Sequence, residues 1–170
     1  YGRKANNNDE QKANDFVKAL LNNAPVLENG GRAATTTFIQ RNIGDALITF
    51  ENEANMAATQ FGQGQFELVY PSYSVRMESP VAVVDSVADK NGQREAATEY
   101  LNYLWSQPAQ ELGAKLYLRP ADPAVLAAHA ATLPPVDTFR PNDVFGTWPE
   151  IMKKYFADGG LFDQLTSGKP

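Results

Sequence analysis

From Asp9 to about Asn23 the apolar positions Ala13, Phe16, Val17, Leu20, Leu21 and Ala24 recur at three- and four-residue spacing, which is one face of a helix. Asn8 is placed to cap that helix and Pro25 to stop it. Val26-Leu27 reads as a short strand, followed by the turn Glu28-Asn29-Gly30-Gly31. Thr35-Thr36-Thr37 read as caps for a short helix through Phe38 and Ile39. Ala46-Leu47-Ile48-Thr49-Phe50 is an apolar run of strand length, Glu51-Asn52-Glu53-Ala54 opens another helix that fades near Gly62-Gln63-Gly64, and 66–70 is a further strand. Residues 9–70 therefore alternate helix and strand, and that alternation predicts an α/β layered fold with a largely parallel sheet.

The stretch 71–80 carries two prolines and three serines and breaks the pattern, as a linker or a crossing between lobes does. Val81-Ala82-Val83-Val84 is another short buried strand. From Gln93 onward the character is mostly helical. Ala97, Tyr100, Leu101, Leu104 and Trp105 form an apolar stripe, Pro108 and Pro123 open two more helices, and the last runs from Trp148 to Phe156 with Thr147 as its cap. Gly159-Gly160 ends it. No internal repeat or low-complexity tract interrupts this order.

Composition narrows the chemistry. At 170 residues the chain suits about one domain. The lack of cysteine removes a disulfide framework, a Cys zinc site and a Cys nucleophile. His129 is the single histidine. A net charge of −5 with no Lys/Arg cluster argues against a nucleic-acid partner. No apolar run approaches the roughly 18 residues of a membrane span. The chain opens at Tyr1, without an initiator Met, and is expected to be a piece of something longer whose first five residues are the tail of an element.

Candidate catalytic groups are few. Glu51 and Glu53 lie two residues apart, about 200° around a helix, so they point to opposite sides and do not converge on one atom. Both sit in a first helical turn, where carboxylates favour the positive end of the dipole. His129 has no nucleophile or orienting group beside it and reads as a solvated helix-end residue. The stretch from Tyr100 to Trp105 has the spacing of core rather than of a ligand cage. The segment Gly30-Gly31-Arg32-Ala33-Ala34-Thr35-Thr36-Thr37 is the informative one. Small residues free backbone N–H groups for close approach, and the helix start carries partial positive charge, so the segment is either an anion-binding turn or an ordinary strand-to-helix loop. It is not a phosphate-binding Walker loop, because the Gly-x-x-x-x-Gly-Lys-Ser/Thr pattern is absent.

The stretches Glu28-Asn29-Gly30-Gly31-Arg32-Ala33-Ala34-Thr35-Thr36-Thr37-Phe38 and Ile43-Gly44-Asp45-Ala46-Leu47-Ile48-Thr49-Phe50-Glu51-Asn52-Glu53-Ala54 resemble the periplasmic sulfate/thiosulfate-binding proteins of ABC importers. So do Pro80-Val81-Ala82-Val83-Val84-Asp85, Tyr100-Leu101-Asn102-Tyr103-Leu104-Trp105-Ser106, Tyr117-Leu118-Arg119-Pro120 and Phe145-Gly146-Thr147-Trp148-Pro149. The resemblance covers essentially the whole chain. It implies a type II periplasmic binding protein architecture: α/β, two lobes, each with a central β-sheet flanked by helices, of which this chain is the C-terminal half. Residues 1–73 would belong to the second lobe and carry half of the anion site, 74–80 would cross between lobes, and 81–170 would finish the first lobe. The N-terminal half, with its Ser-Gly-Gly anion turn, is outside this sequence.

By the same resemblance the backbone N–H of Gly31 donates to an anion oxygen, and Gly30, Arg32, Ala33 and Thr35 support that turn. Phe50 stands where sulfate-preferring members carry a Trp whose indole N–H donates to the ligand; Phe has no donor. Members resembling the thiosulfate branch carry Phe there, and the implied ligand is thiosulfate or both anions. A fully ionised sulfoxyanion needs donors only, whereas protonated phosphate needs an acceptor, so such a site discriminates between them. The implied function is binding and delivery to a membrane permease of an ABC importer in the periplasm, with hinge closure of the lobes, no cofactor, no metal and no catalysis. The competing readings are a ligand-sensing effector domain of a regulator, an enzyme, and an inactive stable proteolytic fragment; no helix-turn-helix accompanies the first and no catalytic constellation the second.

Overall fold

A computed structural model describes residues 2–61 and 64–167. In chain order the helices are α1 (Gly2–Ala5), α2 (Glu10–Asn22), α3 (Gly31–Arg41), α4 (Glu51–Met56), α5 (Asp85–Lys90), α6 (Arg94–Tyr103), α7 (Gln107–Lys115), α8 (Pro123–Ala128), α9 (Pro141–Phe145), α10 (Trp148–Ile151) and α11 (Leu161–Thr166). Two helices widen into π-type turns at their ends, α4 over Ala57–Phe61 and α10 over Met152–Phe156. The strands among the described residues are β1 (Ser74–Val75) and β2 (Thr138–Phe139), a parallel pair with Ser74 opposite Thr138 and Val75 opposite Phe139.

The chain divides into two compact units. One holds the chain through Thr49, Val69–Met77 and the chain from Val136 on; the other holds Phe50–Leu68 and Glu78–Pro135. The chain thus passes from unit to unit four times, after Thr49, Leu68, Met77 and Pro135, and the third passage falls inside the proline- and serine-rich stretch. That stretch also contributes β1, so its backbone is partly laddered rather than a plain linker.

In the first unit α1 and α2 meet at small residues. A Cβ added to Gly2 would sit 3.1 Å from Ala13 Cα, so glycine permits the approach. Asp9 caps α2 by accepting from the Lys12 N–H at 3.0 Å, whereas Asn8, the expected cap, lies in the left-handed region at φ 63° and belongs to the turn before it. Lys154 ties α10's wide turn to α2 through Glu10 at 3.1 Å. An aromatic series continues the core: Tyr73 stacks on Phe139 at 5.1 Å, Phe139 meets Phe145, and Phe145 meets Tyr155 edge-on at 5.6 Å.

In the second unit Ala114, Val125 and Leu133 form the buried cluster, with Tyr117 and Leu126 packed on it. Asp122 caps α8 from both Ala124 and Val125 N–H groups, and Pro123 occupies the first turn, as the sequence pattern requires. Gln110 links α7 to the loop that follows it: its Oε1 accepts from the Ala121 and Asp122 N–H groups and its Nε2 donates to the Leu104 carbonyl.

Several expected elements take another form. The predicted strands at Val26-Leu27, 46–50, 66–70 and 81–84 form no ladder and take no regular secondary structure. Their side chains explain why. Residues 46–50 and 66–70 alternate exposed and half-buried positions, yet apolar side chains stand at outward positions too: Ala46, Ile48 at 78% and Phe50 in the first, and Val69 at 73%, beside the charged Glu67, in the second. Such segments have the composition of interior strands flanked by neighbours on both sides, and a strand exists only when those neighbours supply the ladder. The Tyr100–Trp105 stretch, expected in the core, is largely outside it: Tyr100, Tyr103 and Trp105 are all exposed. Tyr100 and Leu101 line one wall of an open groove of about 250 Å³ whose other wall is Val83, Val84 and Val87. The helices α5, α9 and α11 lie in short polar-rich segments where no apolar periodicity announces them.

Candidate functional site

The turn before α3 is held in a shape that requires glycine. Gly30, the residue preceding the helix, has φ 114° and ψ 153°, a conformation closed to other residues without strain. Its N–H donates to the Glu28 carbonyl at 3.1 Å, and its own carbonyl accepts the first helical bond, from Ala34 N–H at 3.1 Å. The N–H groups of Gly31 and Ala33 therefore stand ahead of the first intrahelical bond, at the positive end of the dipole. The helix begins with no acidic residue in its first turn and with no side-chain cap.

Helix α3 starts four residues earlier than the threonine run, which corrects the expectation that Thr35–Thr37 cap it. These threonines are interior. Thr35, 3% exposed, donates from Oγ1 to the Gly31 carbonyl at 2.9 Å, and Thr36 does the same to Arg32. Thr37, also buried, donates to Glu28 Oε1 at 2.5 Å. That last bond clasps the helix to the loop just before the glycines. It is a support the sequence reading missed, and nine residues of separation with no periodic signal made it invisible there. Arg32 is exposed, Gly31 and Ala33 are half-buried and Gly30 is exposed.

Phe50 is the N-cap of α4 in extended conformation, with its carbonyl accepting from Ala54 N–H at 2.9 Å and its side chain 51% exposed. The Thr49 hydroxyl just before it is buried with no hydrogen-bond partner among the described residues. Glu51 and Glu53 diverge as expected. Glu51 forms a two-bonded pair with Arg119, Nε to Oε2 at 2.6 Å and Nη2 to Oε1 at 2.8 Å, while Glu53 is buried. Arg119 Nη2 also reaches the Pro134 carbonyl at 2.6 Å. Gly31 and Phe50 fall in different units, so the six expected site residues divide as Gly30, Gly31, Arg32, Ala33 and Thr35 in the first and Phe50 in the second.

His129 caps the end of α8, as expected of a helix-end residue, but is less solvated than expected: its Nε2 lies 2.8 Å from Glu111 Oε2 and its side chain is 22% exposed. The pair joins α8 to α7. Among the described residues no three His, Asp or Glu side chains gather as metal ligands, and no helix is long and apolar enough to cross a membrane.

The site residues thus comprise a glycine-shaped helix start, a Glu51 carboxylate engaged with Arg119 and a histidine at a helix end. Comparison with known proteins identifies the family. Residues 2–115 match the family described as bacterial extracellular solute-binding protein, and the chain belongs to that family. It is 54% identical over 95% of its length to the thiosulfate-binding protein of Pseudomonas aeruginosa, 46% identical over 98% to the sulfate-binding protein of Escherichia coli, and 41% identical over 95% to the thiosulfate-binding protein of Escherichia coli. It covers 49%, 50% and 48% of those relatives, so the chain spans about half the length of the proteins it matches.

Proposed function

We propose that this chain is the C-terminal half of a periplasmic binding protein that takes thiosulfate or sulfate and delivers it to the permease of an ABC importer. The observation that carries the reading is the start of α3: a Gly30 turn at φ 114° that leaves the Gly31 N–H ahead of the first helical bond, with no carboxylate in the first turn. The identity to relatives named for thiosulfate and for sulfate supports the choice of ligand. On this reading Gly31 donates to an anion oxygen, and Gly30, Arg32, Ala33 and Thr35 hold the turn. On the same reading residues 1–73 and 81–170 belong to the two lobes of a type II fold, each built on a central sheet, with 74–80 between them, a division whose bounds differ from those of the two compact units at 50–68 and from Val136 on. The missing N-terminal half supplies the remaining donors and the strands that pair with the unladdered segments.

Selectivity follows from the donor set. Donors alone satisfy a dianion with no proton to give, whereas hydrogen phosphate brings a proton that needs an acceptor. Calorimetric titration of the full-length protein with thiosulfate, sulfate and phosphate tests the assignment. One-to-one binding of a sulfoxyanion with phosphate silent is the expected result; silence toward all three ends this reading.

Phe50 decides between the two anions. Its ring offers no hydrogen-bond donor, and the terminal sulfur of thiosulfate is a larger, softer and weaker acceptor that an aromatic face suits. Phe50→Trp supplies an indole N–H. It is expected to raise sulfate affinity relative to thiosulfate by about tenfold, the worth of one hydrogen bond to a charged group. Paired titrations give the ratio directly, and an unchanged ratio removes Phe50 from the site.

A further inference from the structure

Glu51 poses a problem for anion binding. It follows Phe50 directly in the chain, and an uncompensated carboxylate beside a dianion repels it. The structure holds that carboxylate in a specific way. Both of its oxygens accept from the Arg119 guanidinium, at 2.6 and 2.8 Å, and the same guanidinium reaches the Pro134 carbonyl at 2.6 Å. The two side chains are 68 positions apart in the chain and only 23% and 32% exposed, so the pair is sheltered from full solvent screening. A planar fork matched to a carboxylate is the geometry in which arginine is not replaceable by lysine.

We infer that Arg119 tunes anion affinity by neutralising Glu51, and that it is a positioning residue which holds the start of α4 in place without touching the ligand. The inference rests on the assignment of Phe50 to the anion site. Arg119 does two separable things. The bonds to Glu51 and Pro134 fix the first turn of α4 against the segments around 119 and 134, which is a contribution to stability. The positive charge cancels the negative one next to Phe50, which is a contribution to affinity for dianions.

A charge cycle separates them. In the full-length protein, thiosulfate dissociation constants and unfolding midpoints are measured for the unaltered chain, Arg119→Met, Glu51→Gln and the double variant. Arg119→Met is expected to weaken thiosulfate binding roughly tenfold, because a unit charge near a dianion in partly screened surroundings is worth that order. The double variant is expected to restore binding to within about threefold of the unaltered protein while its midpoint stays depressed, since the clamp is gone but so is the charge. Binding by Arg119→Met equal to that of the unaltered protein overturns the inference, as does a double variant as weak as Arg119→Met, which leaves the pair purely structural. If Arg119→Met does not fold, Glu51→Gln alone decides: removing the carboxylate charge beside a retained arginine is expected to tighten thiosulfate binding, and unchanged or weaker binding overturns the inference. If the unaltered protein binds no sulfoxyanion, the proposed function itself falls and takes this inference with it.

Discussion

Gly31→Pro is expected to weaken thiosulfate binding roughly ten- to a hundredfold while leaving α3 folded, the loss of one hydrogen bond to a charged ligand being worth about 1.5–3 kcal/mol. The substitution isolates the backbone donor. Gly31 is the first residue of α3, the one helical position where proline is favoured because its N–H has no intrahelical partner and its φ is already helical. The residue before a proline must be extended, and Gly30 has ψ 153°. Fold and helix are thereby kept and the N–H alone is removed. Gly31→Ala is the control: it keeps the donor and is expected to bind nearly as the unaltered protein does. Helical circular dichroism and the unfolding midpoint check the fold, and calorimetry reads the affinity. Equal losses in the two variants would assign the effect to crowding at Gly31 rather than to its N–H.

Leu133→Ala is expected to cost about 2–5 kcal/mol of stability, the range for a leucine truncated in a closed core. Leu133 is 1% exposed and packs with Ala114 and Val125 in the cluster that joins α7 to α8. Its backbone is fixed too, with its N–H donating to the His129 carbonyl at 2.9 Å, so the loop is held in place and the cavity does not collapse. Urea unfolding of the 170-residue chain checks the figure. Ile48→Ala, at a side chain 78% exposed, is expected to change stability by less than about 0.5 kcal/mol in the same assay. A comparable loss at both positions would show that the segment around Ile48 is buried in solution.

How much the sequence disclosed depended on how local the cause was. Helices α2, α4, α6, α7 and α8 were legible because apolar spacing, prolines in the first turn and a carboxylate-rich start are written within a dozen residues. The glycine turn was legible for the same reason. The beginning of α3 was misjudged because threonine is a good cap and also bonds back to the carbonyl four residues earlier, and here the second use prevails at Thr35 and Thr36. The Glu51–Arg119 pair and the Glu28–Thr37 clasp were not legible at all, since neither partner's position is implied by the other's. Strands were expected at 46–50, 66–70 and 81–84 and none forms there, because a ladder is a property of pairs and no single segment encodes its partner. The aromatic stripe near Tyr100 was placed in the core on periodicity, which reports that a face is apolar and is silent on what lies against it.

Those unladdered segments bear on the order in which the protein assembles. An amphipathic strand chooses its own register, because a slip of one residue turns its apolar side to water. A segment such as Ala46–Phe50, apolar on both sides, carries no such instruction, and slipping it by one residue exchanges one greasy face for another. Its alignment has to be read from partners that are already in place. Helices built on local contacts form first in such a chain, and pairings between distant segments close last. On the proposed two-lobed reading, a sheet that takes in these runs closes last, and the interval before it closes is when they are most open to capture by a neighbouring chain.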